Sequence, residues 1–227
     1  MAYTEGDGVW RTIRGRRVFL ENSKSLYAST VRSGKFPEMK RPGGNDKEES
    51  GHIEITNKAI SSVPRLPSFL LNEELQGKLK TEHQRLLRRA QGLPPKTEVA
   101  QCCDPKNLFS LSGIIEGEAG AGRVKIPDCN KPYIAMHTHP DGRTFSETDV
   151  QLFIRYPNQV ISSAVGHNGK VYILEKSKNF NAPAAKAFLA NAIAQSPDRG
   201  KSAEAYIEFI EKAIKGLEEY GVFYYKG

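Results

Sequence analysis

The feature that most constrains the fold is a series of short β-prone runs, separated by turn residues, that begins at Thr97. Alternating apolar side chains bounded by Gly, Asn and Pro are typical of antiparallel strands joined by turns. The clearest pair lies on either side of the turn at residues 167–169. The predicted strands are TEVAQCC, LFSLSGIIEGE, RVKIP, YIAMHTH, QVISSAVG and KVYILEK. We therefore expect a sheet in the C-terminal part of the chain.

Helices are expected to flank this sheet. One is predicted to begin after Ser146, which can act as an N-cap because Asp149 follows three residues later. Two more are predicted over residues 183–195 and 202–220, the second with apolar residues at helical spacing. Strands and helices together predict an α/β domain that spans residues 96–227.

The first part of the chain is predicted to contain a small basic module and a linker. In residues 1–36, the β-prone runs at 9–13 and 17–20 predict a hairpin, and residues 23–33 a short helix. Residues 37–52 contain almost no apolar side chains, so burial cannot offset the entropy lost on ordering. We predict a flexible linker there.

Residues 53–95 are predicted to form a helical connection between the linker and the domain. Asn72 can cap a helix that Gly92 and Pro94 then stop. Acidic residues in the first turn and basic residues in the last turn complement the helix dipole. They are Glu73, Glu74, Arg88 and Arg89.

The net charge and its distribution narrow the classes of partner that this chain could bind. The formal net charge is +7, and the basic excess lies in residues 1–95, which hold 17 Lys and Arg against 11 Asp and Glu. This excess favours either a nucleic-acid partner or a solvated surface, and the second is commoner. The segment 8–20 also resembles a short stretch of phage and virion-associated proteins. It would then be a docking element.

The sequence predicts no membrane span and a cytoplasmic location. No apolar run approaches the roughly 18 residues that a membrane helix needs, and no apolar segment follows the charged start. The three cysteines, Cys102, Cys103 and Cys129, are an odd number with two adjacent, which is a poor disulfide framework. Reduced, buried thiols without a chemical role are expected.

The run HTHPDGRTFSETD carries the strongest chemical signal. His137 and His139 are two apart on a predicted strand, so both imidazoles project from one face. Asp149 lies in the first turn of the following helix, where the intervening loop can bring it back toward them. Two imidazoles and one carboxylate leave a fourth tetrahedral position open, as in catalytic zinc sites. We expect Zn²⁺ here, although an HxH pair alone is often only structural.

This run resembles the signature of the JAMM/MPN-type (JAB domain) zinc metallopeptidases. Their usual pattern is HxH, seven residues, then S-x-x-D, whereas six residues, PDGRTF, separate His139 from Ser146 here. The resemblance covers about residues 96–177 and implies a cytidine-deaminase-like fold. It also implies that His137, His139 and Asp149 bind zinc, and that Ser146 stabilises the oxyanion of a tetrahedral intermediate.

The resemblance further implies a glutamate that serves as general acid and base. Glu98 fits best, because it opens the first predicted strand of the domain. Glu116 and Glu118 are the alternatives, next to glycines where a strand ends. The segment 123–133 contains two prolines and is too short for the helix that many members place there. The domain therefore looks more similar to RadC-like and phage or toxin-associated members than to eukaryotic deubiquitinases.

Two functions from different classes follow. The first is an isopeptidase-like zinc metallopeptidase that hydrolyses a peptide or isopeptide bond, with a ubiquitin-like protein among the candidate substrates. The second is a non-catalytic MPN-like binding module that docks on nucleic acid or on a virion assembly through its basic N-terminal region. Near-stoichiometric zinc would favour the enzyme.

Overall fold

The computed structural model describes residues 8–13, 16–21, 52–196 and 202–227 of the chain. The helix predicted at residues 23–33 and the linker predicted at 37–52, apart from its last residue, lie outside the described residues. The chain divides between Asp46 and Lys47 into two compact units.

The first unit contains the predicted hairpin. Strands β1 (Gly8–Ile13) and β2 (Arg16–Glu21) pair in antiparallel fashion, with Gly8 opposite Glu21 and Ile13 opposite Arg16. The β-prone residues on both sides of the Arg14–Gly15 step account for this pairing.

The second unit is an α/β domain built on a six-stranded mixed sheet with strand order β4-β3-β5-β6-β7-β8. Strands β5 and β6 are parallel, and every other neighbouring pair is antiparallel. The helix between β5 and β6 supplies the crossover that a parallel pair needs. The strands are β3 (Val99–Cys103), β4 (Ser110–Glu116), β5 (Tyr133–His139), β6 (Gln159–Gly166), β7 (Val171–Lys176) and β8 (Val222–Lys226).

Helices cover both faces of this sheet. Apolar residues of α1 and α2 pack against Ile134, Met136 and Ile161 on one face. Apolar residues of α3, α4 and α5 pack against Ala164 and Leu174 on the other face. The two sets alternate along the strands, as side chains of a pleated strand must. The helices are α1 (Asn57–Ser62), α2 (Glu73–Gln91), α3 (Glu147–Arg155), α4 (Ala182–Ala194) and α5 (Ala203–Gly216).

The sequence-based helix boundaries agree closely with these elements. Asn72 caps α2 by accepting a hydrogen bond from the Leu75 amide, and α2 ends before Gly92. Ser146 caps α3 in a capping box with Asp149. The short polar side chains at these positions compete with the backbone for hydrogen bonds, which is why they mark helix starts.

The prediction of strands was incomplete in two places. RVKIP, predicted as a strand, is not one: residues 117–132 form neither helix nor strand. Pro127 lacks the amide that a ladder requires, and Pro132 ends the segment. Strand β8 was not predicted. It begins after a turn in which Gly221 has φ 84° and pairs with β7. Because β7 lies far earlier in the chain, no local sequence signal indicates this pairing.

The helical segment 53–95 is packed into the domain that the sequence placed at residues 96–227. Leu79, Leu86 and Leu87 of α2 are almost fully buried in the same cluster as strand residues.

Among the described residues, no helix combines the length and the apolar character needed to cross a bilayer.

The packing of α2 gives a first testable expectation. Replacing Leu86, which is fully buried, by alanine should lower the free energy of unfolding by about 2–5 kcal/mol, because a cavity remains in the core. Leu70→Ala is the matched control, since this leucine is 42% exposed and should cost less than about 0.5 kcal/mol. Urea denaturation measures both, and equal costs would contradict a packed α2.

The cysteines are free thiols, as predicted. Cys102 and Cys103 are buried in β3, while Cys129 is partly exposed in the segment before β5. Burial raises the pKa of Cys102 to about 12 and that of Cys103 to about 11. Thiols with raised pKa values are poor nucleophiles and poor metal ligands at neutral pH.

Candidate metal centre

The candidate site lies where β5 ends and α3 begins. His137 and His139 project from the same face of β5, the face covered by α3. Asp149 is the third residue of α3, so the capping box that starts this helix also fixes the position of its carboxylate. Strand periodicity and helix capping thus direct three potential ligands toward one point.

The three side chains meet as the spacing predicts. The Nε2 atoms of His137 and His139 are 2.8 Å apart. Asp149 Oδ1 lies 3.7 Å from Nε2 of His137, and Oδ2 lies 3.5 Å from Nε2 of His139. One ligand atom from each residue lies within 4.8 Å of the others, so the group could hold a metal ion.

Backbone contacts orient His139. Its Nδ1 donates to the carbonyl of Arg143 at 2.9 Å, which directs Nε2 at the cluster. His137 Nδ1 is buried and has no hydrogen-bond partner among the described residues. The two imidazoles are therefore held differently, one by a backbone acceptor and one by packing.

The charges in the cluster are strongly coupled. Burial disfavours the charged form of His139, but the carboxylate of Asp149 outweighs it and raises the pKa of His139 to about 9. Burial lowers the pKa of His137 to about 4. Burial alone would raise the pKa of Asp149, yet the two histidines hold this pKa below its usual range. Without a bound cation, these pKa values favour a neutral imidazole beside an ion pair.

This donor set fits a divalent transition-metal ion. The pKa values favour an ionised Asp149 and a neutral His137, and a bound cation would take the place of the proton on His139, as metal binding generally requires. Nitrogen and carboxylate ligands suit Zn²⁺. The two histidines are also buried, at 2% and 7% exposed, which reduces competition from bulk water, while the Asp149 side chain is 23% exposed.

Ser146 lies beside the cluster on the solvent side. Its Oγ donates to Asp149 Oδ2 at 2.6 Å, and its backbone amide donates to the same oxygen at 2.7 Å. The residue itself is exposed. Its hydroxyl is therefore next to the ligand carboxylate and within reach of a molecule that enters from solvent.

Glu98 lies on the same face of the sheet. Ala100 pairs with His137 in the antiparallel register of β3 and β5, and continuing this register by two residues places Glu98 opposite His139. The side chain is only 8% exposed. Burial raises the pKa of Glu98 to about 7, Asp149 and Asp141 add to the increase, and His139 opposes it. A carboxyl group with this pKa can both accept and return a proton near neutral pH.

The two alternative glutamates lie in different surroundings. Glu116 forms an ion pair with Arg89 of α2, and its side chain is 40% exposed. Glu118 is 78% exposed and lies 4.0 Å from Arg123. Both carboxylates are surface charges with basic partners, whereas Glu98 is buried near the histidines.

The short loop between His139 and Ser146 closes through Gly142. This residue has φ 68°, in the left-handed region that favours glycine. A Cβ atom there would lie 2.4 Å from Asn168 Nδ2. Gly142 thus allows a loop of six residues to bring α3 back to the cluster.

Three further histidines lie outside the cluster. His167, in the turn between β6 and β7, is 2% exposed, and its Nδ1 donates to the carbonyl of Ile53 at 2.9 Å. The segment before α1 covers it, which no local signal in the turn reveals. His83, on a helix with many charged residues, is 1% exposed and hydrogen-bonded to Ser163 on the opposite face of the sheet from the cluster. His52 lies beside His167 with the ring centroids 5.6 Å apart.

Comparison with protein-family models, with curated proteins and with solved structures finds no match for this chain. The chemical assignment therefore depends on the geometry of the cluster and on the sequence motif that forms it.

Proposed function

We propose that this protein is a zinc-dependent hydrolase of peptide or isopeptide bonds, with a JAMM/MPN-like domain. The observation that carries the proposal is the convergence of His137, His139 and Asp149, with the buried Glu98 beside them. Structural zinc sites use four protein ligands, whereas hydrolytic sites use three and leave a position for substrate or water. Three ligands next to a buried carboxylic acid match the second type.

His137, His139 and Asp149 would hold the ion. Zn²⁺ bound there would supply Lewis acidity, which makes water nucleophilic at neutral pH. Glu98 takes a proton from the attacking water and delivers it to the nitrogen of the leaving amine as the C–N bond breaks. Its pKa of about 7 suits both directions of this transfer. Asp149 would hold the metal from the start of α3, where it receives two hydrogen bonds from Ser146.

Ser146 is proposed to stabilise the oxyanion. Its hydroxyl lies at the exposed side of the cluster, where a carbonyl oxygen would enter, and can turn from Asp149 to donate to the developing charge. A protein or peptide is the proposed substrate, and a ubiquitin-like protein is one candidate. The motif HTHP…S-x-x-D supports an amide as the scissile group, because this pattern is typical of JAMM-type peptidases.

A test of this proposal requires measurements of both the zinc content of the protein and its hydrolysis of peptides. We expect the purified chain to contain about one zinc per molecule by elemental analysis. It should cleave members of a library of internally quenched peptides joined through α-amino or lysine ε-amino groups. A zinc chelator should abolish cleavage, and added Zn²⁺ should restore it. A chain that binds no zinc and keeps its stability would contradict the proposal and favour the binding module.

A further inference from the structure

The loop that joins β5 to α3 contains the acceptor that orients His139. This acceptor is the carbonyl of Arg143, which receives the Nδ1 proton of His139 at 2.9 Å. If the carbonyl moves, the imidazole rotates or changes tautomer, and Nε2 no longer faces the other ligands. The position of one peptide group in a short loop therefore controls one metal ligand.

Two tyrosine hydroxyls bind the loop on either side of this peptide group. The Tyr172 hydroxyl donates to the carbonyl of Gly142 at 2.9 Å. The Tyr224 hydroxyl is hydrogen-bonded to Thr144 Oγ1, also at 2.9 Å. Arg143 is the residue between Gly142 and Thr144, so it is held from both sides.

Both tyrosines come from rigid elements. Tyr172 is on β7 and Tyr224 on β8, and Leu174 pairs with Tyr224 in their antiparallel register. Tyr172 and Tyr224 therefore project from the same face of neighbouring strands, toward the side where α3 packs. The distance between the two anchoring points is fixed by the sheet.

Burial makes these hydrogen bonds hard to replace. Tyr172 is 3% and Thr144 is 7% exposed, so water cannot readily substitute for a lost hydroxyl. Burial also raises the pKa of Tyr172 to about 12 and shifts the pKa of Tyr224 in the same direction. Both phenols keep their protons throughout the neutral range.

We propose that Tyr172 and Tyr224 are positioning residues for the candidate metal centre, acting on His139 through the carbonyl of Arg143. This inference depends on the proposed function, since it assigns the two hydroxyls a role in metal binding. Asn168 contributes a weaker contact, with Nδ2 3.3 Å from the same Gly142 carbonyl. The Asp141 side chain also accepts from the Arg143 amide at 3.0 Å, but this contact lies within the loop, whereas the two phenols tie the loop to the sheet.

The test measures zinc affinity in the whole chain by competition with a chromophoric chelator. Tyr172→Phe and Tyr224→Phe should each weaken binding about threefold, and the double variant about tenfold or more, as loss of outer-shell contacts generally does. The Co²⁺-substituted double variant should show a shifted visible absorption spectrum, because the ligand field changes. Tyr133→Phe is the matched control: it removes a hydroxyl bonded to Asp128, away from the loop, and should change affinity less than about twofold.

The outcomes separate this inference from the function that it refines. Wild-type chain that binds no zinc overturns both. Wild-type chain that binds zinc, with a double variant of equal affinity and unchanged Co²⁺ spectrum, overturns the positioning role alone. A purely structural role predicts equal thermal destabilisation in all the tyrosine variants with no selective loss of affinity. If the double variant does not fold, the two single variants against Tyr133→Phe decide the question.

Discussion

Changing Asp149 to asparagine is expected to lower the zinc affinity of the chain more than about 100-fold, beyond the effect of losing an outer-shell contact. The amide keeps an oxygen that can accept from Ser146, so the start of α3 retains its cap. It loses the negative charge that lies 3.5 and 3.7 Å from the two imidazoles. Competition with a chromophoric chelator at fixed pH and ionic strength gives the change in affinity.

Asp141→Asn is the matched control for this result. It makes the same chemical change in the loop that precedes α3, and the Asp141 side chain accepts from the Arg143 amide at 3.0 Å, a contact that asparagine can keep. Its affinity should stay within about threefold of the wild-type value, because only a screened charge outside the ligand set is lost. Equal losses in both variants would show that Asp149 contributes charge but is not a ligand.

The sequence predicted the parts of the site whose positions depend only on neighbouring residues in the chain. His137 and His139 share a face because they are two apart on a strand, and the capping box at Ser146 places Asp149 in the first turn of α3. The caps of α2 follow from the same kind of signal. Each of these inferences needs only a few neighbouring residues and one periodicity.

Other features depend on contacts between distant segments. Strand β8 forms by pairing with β7 across about 50 positions of sequence, and His167 is buried because the segment containing Ile53 lies over it. The role of Arg143 comes from its backbone carbonyl, so its side chain carries no signal for it. RVKIP has the composition of a strand yet pairs with no strand of the described sheet.

Glutamine in place of Glu98 is expected to abolish hydrolysis while zinc binding persists. The amide is nearly isosteric and fills the same buried position, but it cannot accept and return the proton. Loss of a general acid or base generally costs about 10²–10⁴-fold in rate. Kinetics on the best peptide from the library, with zinc content measured on the same samples, would record both quantities.

Glu116→Gln is the control for Glu98→Gln, because it makes the same substitution in a carboxylate that pairs with Arg89 at the surface. Its rate and zinc content should match the wild type, since a single exposed ion pair contributes about 0–1 kcal/mol to stability and lies outside the cluster. Full activity in Glu98→Gln with a large loss in Glu116→Gln or Glu118→Gln would assign the proton transfer to an alternative glutamate. Loss of zinc together with activity in Glu98→Gln would instead make this residue part of the metal environment. The role of Glu98 as the proton carrier therefore requires that activity falls and bound zinc remains.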